Sequence, residues 1–76
     1  MKRDKLDLHG VRHKDVPRKV DEFLGEMIDS RLPELTIVTG LSVDMQDIVI
    51  NTLKDYNLDY EVGDVYNPGY IKISLI

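Results

Sequence analysis

Asp7 and His9 stand two residues apart, and His13 follows four residues after His9. A carboxylate beside an imidazole is a pair suited to general acid–base chemistry: the ring takes or gives a proton near neutral pH, and the carboxylate orients it and raises its basicity. With His13 added, the three offer the nitrogen and oxygen donors that a divalent metal ion, zinc or manganese, takes. The chain has no cysteine, so a thiolate metal site and a disulfide framework are both excluded. For a phosphodiester, Asp7 and His9 could activate the attacking oxygen, and positive charge would then be needed to stabilise the developing phosphorane. A structural role competes with this one, in which Asp7 caps backbone donors of the following turn and His9 hydrogen-bonds that turn.

Positive charge is present at the same end of the chain. The formal net charge is -4, yet the first nineteen residues carry seven bases against three acids, and the rest carry three bases against eleven acids. Distribution matters more than the sum for binding an anion. Arg12, Lys14, Arg18 and Lys19 lie beside the Asp7–His9 pair and could hold phosphates, the arginines bidentately. Ser42, near a helix start, could join backbone N–H groups on a phosphate oxygen or simply cap the helix. Among the tyrosines, Tyr66 and Tyr70 flank a turn and are the pair to consider for base stacking, whereas Tyr56 continues an apolar helical stripe and reads as core.

The elements that must position these residues follow from periodicity. Lys5 to His9 alternates polar and apolar as a half-buried strand does, with Leu6 and Leu8 inward, Asp7 and His9 on the other face, and Gly10 closing it. Val16, Val20, Phe23, Leu24, Met27 and Ile28 fall on one helical face, which predicts a helix over 15–30 with Asp15 as N-cap and Pro17 in the first turn. Leu35 to Thr39 is a β-branched strand ended by Gly40. Met45, Ile48, Val49, Leu53 and Tyr56 mark a second helix, capped by Ser42 or Asp44 and stopped at Asn57. Residues 58–62 and 70–76 are the last strands, and Asn67-Pro68-Gly69 reads as a turn with Pro at the first central position and Gly at positive φ in the second.

The order β-α-β-α-β-β in 76 residues predicts a single α/β domain over 1–76, with its core in 5–76. The two helices are expected on one face of a four-stranded mixed sheet, with the first two strands parallel through a right-handed crossover. The other face is left open, with Asp7 and His9 at the C-terminal end of the first strand, where α/β sheets hold ligands.

Leu6-Asp7-Leu8-His9-Gly10, followed by a helix, a strand closing on Thr39-Gly40, a second helix and a late turn with glycine, resembles the small MutS-related (Smr) domain family over most of the chain, from about Lys5 to Ile76. The resemblance implies a two-layer α/β fold similar to the C-terminal domain of translation initiation factor three. It also implies nucleic-acid binding, with nicking or ribonuclease activity in a number of members. Carried over, Asp7 and His9 match the motif pair linked to cleavage, and Thr39 and Gly40 match the start of a threonine-glycine-lysine-glycine loop. With Gly10, His13, Ser42 and the late Asn67, Gly69 and Tyr70, the basic residues complete the expected nucleic-acid contacts. Four departures stand out: Leu41 occupies the usual lysine position, Ser42 the second glycine, the histidine common after that loop is absent, with Asp44 and Met45 in the region, and the late glycine-rich turn is reduced to Asn67-Pro68-Gly69-Tyr70.

Three functions fit these residues: a weak endonuclease, hence a hydrolase, centred on Asp7 and His9; a nucleic-acid-binding module that does not cut; and an adaptor whose acidic remainder or open sheet face meets a protein partner. No apolar run is long enough for a membrane span or a signal-peptide core, and the absence of cysteine suits a reducing compartment, so a cytoplasmic location is expected. A monomer or a weak homodimer, paired through a free strand edge, is expected for so small a sheet.

Overall fold

In the computed structural model the described residues are 4–27, 29, 32–63 and 66–75. Alternation of apolar and polar residues builds four short strands: β1 (Lys5–Asp7), β2 (Glu34–Val38), β3 (Asp59–Val62) and β4 (Tyr70–Ser74). Helix α1 (Val16–Met27) follows a 3-10 turn over His13–Asp15, and helix α2 (Val43–Asp55) links β2 to β3. Ile28, Ser30 and Ile76, at the expected ends of the first helix and last strand, lie outside the described residues. Asp15, expected as the cap of α1, instead closes the 3-10 turn, its N–H donating to the Arg12 carbonyl at 2.9 Å.

The strand order is β1-β2-β4-β3, with β1 parallel to β2 and the other pairs antiparallel. β4 is therefore an interior strand, and its Ile71 and Ile73 are fully buried. They join Leu8, Leu35 and Ile37 beneath Val16, Val20, Phe23, Leu24 and Met27 of α1 and Met45, Val49 and Leu53 of α2 in one continuous core. Both helices thus cover the same face. Burying each such side chain contributes about 1.5–3 kcal/mol before the entropy of ordering it is counted.

The opposite face is organised in rows by register. Lys5, Thr36, Lys72 and Glu61 lie side by side across all four strands, and Asp7, Val38 and Tyr70 form the next row. Since successive side chains alternate between faces, these rows share the uncovered side of the sheet.

Two local expectations are corrected. Tyr56 is not core: it is the C-cap of α2, it is exposed, and its hydroxyl donates to Asp21 Oδ1 of α1 at 2.9 Å, which holds the phenol above its usual titration range. The stripe of α2 ends one turn earlier, at Leu53. Gly69 does not take positive φ either; the positive-φ glycines are Gly10, Gly40 and Gly63. The late turn is closed by the Asn67 side chain, whose Oδ1 accepts the Gly69 N–H at 3.1 Å, an Asx turn that needs no left-handed residue at that point.

Ser42 caps α2, its Oγ accepting the Met45 N–H at 3.2 Å. Ser42→Ala should cost about 1 kcal/mol by leaving that first-turn donor without its partner. A lower urea midpoint with an unchanged m-value would show it, and an unchanged midpoint would mean that the cap contributes nothing.

Candidate nucleic-acid interface

The segment leaving β1 is a turn whose every position has a physical reason. Asp7 Oδ1 accepts the backbone N–H of His9 at 2.9 Å. The Val11 N–H donates to the Leu8 carbonyl at 3.0 Å, closing a reverse turn with Gly10 at φ 78°, a left-handed conformation open to glycine because it lacks a Cβ. The carboxylate thus serves a backbone donor, the glycine supplies the reversal, and His9 stands exposed between them. The Leu8 N–H donates to the Val38 carbonyl at 3.0 Å, which keeps the turn beside the end of β2.

Beyond β2, the backbone N–H groups of Thr39 and Gly40 both donate to the Gly69 carbonyl, at 3.0 and 2.9 Å. The buried Thr39 hydroxyl donates to the Gly40 carbonyl at 2.9 Å and reaches Gly69 O at 3.3 Å. From the first turn of α2, the Gln46 amide donates to the Pro68 carbonyl at 2.9 Å and reaches Gly40 O at 3.5 Å. The loop after β2, the start of α2 and the loop before β4 are thereby tied into one wall. The backbone donors that a phosphate would seek at Thr39 and Gly40 are already taken by Gly69.

Against this wall the open sheet face forms a cavity of about 650 Å³. Its floor is Lys5, Thr36, Val38, Tyr70 and Lys72, and its sides are His9, Gly40, Leu41 and the segment Tyr66–Gly69. Among the described residues no acidic side chain lines it. Lys72 Nζ lies 3.5 Å from Glu34 Oε2 with both side chains about half exposed, a solvated pair of the kind worth little and open to competition from an anion.

Of the residues singled out in the sequence, His9, Gly40, Leu41, Tyr66, Asn67, Gly69 and Tyr70 meet around this cavity. Asp7, the register partner of Val38, is not among its lining residues, and its Oδ1 is engaged by the His9 N–H. Arg12, His13, Lys14, Arg18 and Lys19 are exposed on the 3-10 turn and the start of α1 and do not line the cavity; Arg18 Nη2 lies 3.9 Å from Asp15 Oδ1. Ser42 is occupied as the helix cap. The three-ligand metal set is corrected: among the described residues no three His, Asp or Glu side chains converge to hold an ion, because the Leu8–Val11 turn separates His13 from the Asp7–His9 step.

Sequence reasoning missed Lys5, Thr36, Val38, Lys72, Pro68 and Gln46 as parts of the site. Lys5 and Lys72 carried a signal, since strand alternation opposes them to Leu6 and to the Ile71–Ile73 pair. What the alternation lacked was the strand order that brings them into one row.

No curated protein sequence and no solved structure matches the chain. The family model described as the Smr domain matches residues 6–60, well over half of the chain, taking in most of β1, both helices, β2 and the Asp7–Gly10 turn. Lys5, Tyr66–Tyr70 and Lys72, one side of the cavity and part of its floor, lie outside the match. Among the described residues no helix is long and apolar enough to cross a membrane. At the level of the family, the match supports a nucleic-acid-binding, nuclease-like module. On the extent of that match, and with its motif folded as the turn that edges the cavity, the chain belongs to the Smr domain family.

Proposed function

We propose that this domain binds nucleic acid across the open face of its sheet, with the backbone phosphates met by Lys5, Lys72 and His9. The observation that carries the reading is a cavity of about 650 Å³ whose described lining residues include Lys5, Lys72 and His9 and no acid, in a chain of net charge -4. Its volume falls within the range of about 300–1,000 Å³ usual for ligand sites. Arg12, Lys14, Arg18 and Lys19 extend the positive charge along the chain from the His9 turn and would hold flanking phosphates. RNA and DNA present the same phosphates to these groups. Anisotropy titrations with labelled RNA and DNA over a range of salt test the proposal: affinity should fall steeply as salt rises. Absence of binding, or binding indifferent to salt, would reject it and favour the adaptor reading, in which a protein meets the sheet face or the acidic remainder. Reversing the charge of those four bases should weaken binding and flatten the salt slope with the fold intact, because exposed charges usually change stability by less than about 0.5 kcal/mol.

Cleavage is a second reading, favoured by the position of His9 on the cavity wall. His9 would act as the general base or acid on the phosphodiester, with Asp7 holding the turn that presents it. The apolar Leu41 on the same wall leaves the transition state without the charge a lysine would give. By analogy with loss of one transition-state donor, that absence costs about 2.7–4 kcal/mol, so turnover would be slow. Leu41→Lys should therefore accelerate cleavage and His9→Ala should abolish it, in assays run with and without divalent metal. Cleavage by His9→Ala at the wild-type rate would remove His9 from the chemistry, and no cleavage by any variant would leave a binding module.

A further inference from the structure

We infer that the cavity takes an unpaired base, gripped between Leu41 and Tyr66, so that the domain selects single-stranded over duplex nucleic acid; this rests on the nucleic-acid reading above. Leu41 is 76% exposed and Tyr66 is 97% exposed, and both line the cavity. Two large apolar side chains held in water at the rim of a site suit a partner with an apolar surface. The same cavity has Lys5 and Lys72 in one register row, separated by β2 and so about 10 Å apart at their backbones.

A ligand complementary to both features carries flat apolar faces and negative charge in alternation, which describes a nucleotide strand. In a duplex the base faces are covered by their neighbours, and only edges and backbone are presented. An unpaired base offers its π-face to a tyrosine ring and its opposite face to an aliphatic side chain. The loops that carry the two residues are tied to one another. Leu41 follows Gly40 and Tyr66 precedes Asn67, and these loops are joined through the Gly69 carbonyl and through Gln46. Tyr70 supplies a further ring in the lining of the same cavity.

The experiment is an anisotropy titration of the full chain with a labelled twelve-nucleotide oligo(dT) or oligo(U) and with a duplex of equal length. Wild type should bind the single strand at least about tenfold tighter than the duplex. Leu41→Ser with Tyr66→Ser should weaken single-strand binding by about 5- to 100-fold, the effect of losing one stacked base, and weaken duplex binding by clearly less. Tyr66→Phe, which keeps the ring, should retain single-strand binding. Equal affinity for both probes, or a loss that falls equally on both, overturns this inference and leaves the broader reading standing. No binding to either probe overturns both.

Discussion

Reversing Lys5 and Lys72 together, as Lys5→Glu with Lys72→Glu, should lower nucleic-acid affinity by about a hundredfold at moderate salt. It should also cut the slope of log affinity against log salt by about 1.5. Each cation that neutralises a phosphate contributes about 0.7–0.9 to that slope by releasing a counterion, and two are lost. The affinity estimate corresponds to about 2.8 kcal/mol for two charge-assisted contacts. Both lysines sit on the floor of the cavity, so new carboxylates would repel a strand there as well as fail to attract it. Lys72→Glu also places an acid beside Glu34 and in register with Glu61, a like-charge arrangement that costs a few tenths of a kcal/mol or more. The neutral pair Lys5→Gln and Lys72→Gln separates the effects. It should lose nearly the same slope with less loss of affinity and without that repulsion. Unchanged affinity in both pairs would show that the floor of the cavity is not where phosphates bind.

Gly63→Ala should both destabilise the fold and impair binding, although Gly63 does not itself line the cavity. The residue has φ 50°, and a Cβ built on it would lie 2.5 Å from Pro68 Cα and 2.7 Å from the Asn67 carbonyl oxygen. The left-handed conformation alone costs a residue with a side chain about 1–2 kcal/mol. Relief of the contacts requires the backbone of Asn67 and Pro68 to move, with loss of the hydrogen bonds that tie this loop to Gln46 and Gly40. A total of about 2–3 kcal/mol is expected, a large share of the roughly 4–11 kcal/mol that a chain of this size has available. Gly25 provides the internal contrast: it lies in α1 with nothing within 4 Å of a built Cβ, so Gly25→Ala should stabilise by about 0.5–1 kcal/mol. Urea denaturation of the two variants, read with their oligonucleotide affinity, checks both. If Gly63→Ala keeps wild-type stability and binding, the loop does not depend on that close approach.

The elements were legible because each carries its own period. Val16, Val20, Phe23, Leu24 and Met27 fixed the buried face of α1, and the β-branched run before Gly40 marked β2 to within one residue. Parallel pairing of β1 with β2 followed from the helix between them. Strand order was not legible, because β3 and β4 read alike in isolation and their places are decided by competition for the core. In retrospect the charges distinguish them: Asp59 and Glu61 suit an edge, whereas Ile71 and Ile73 fill the interior. Without that order, Lys5 and Lys72 could not be seen as neighbours of one cavity. Tyr56 was misplaced because an apolar stripe does not announce where the helix ends and the aromatic hydroxyl finds a partner, here Asp21. The turn motif was legible in part: the capping role open to Asp7 is met by its bond to the His9 N–H, whereas the sequence did not tell which backbone donor it would take.

Backbone amide shifts of the isotopically labelled protein, followed by NMR during titration with a short single-stranded oligonucleotide, test the central claim most directly. Binding on the open sheet face should move the amides of Lys5, His9, Gly40, Leu41, Tyr66, Asn67, Gly69, Tyr70 and Lys72 together, with those of Arg12 to Lys19 moving less. The covered side, read at Asp21 and Glu22 of α1 and Asp47 and Asn51 of α2, should stay still. Shifts concentrated on those helix positions, with the cavity residues unmoved, would contradict the account.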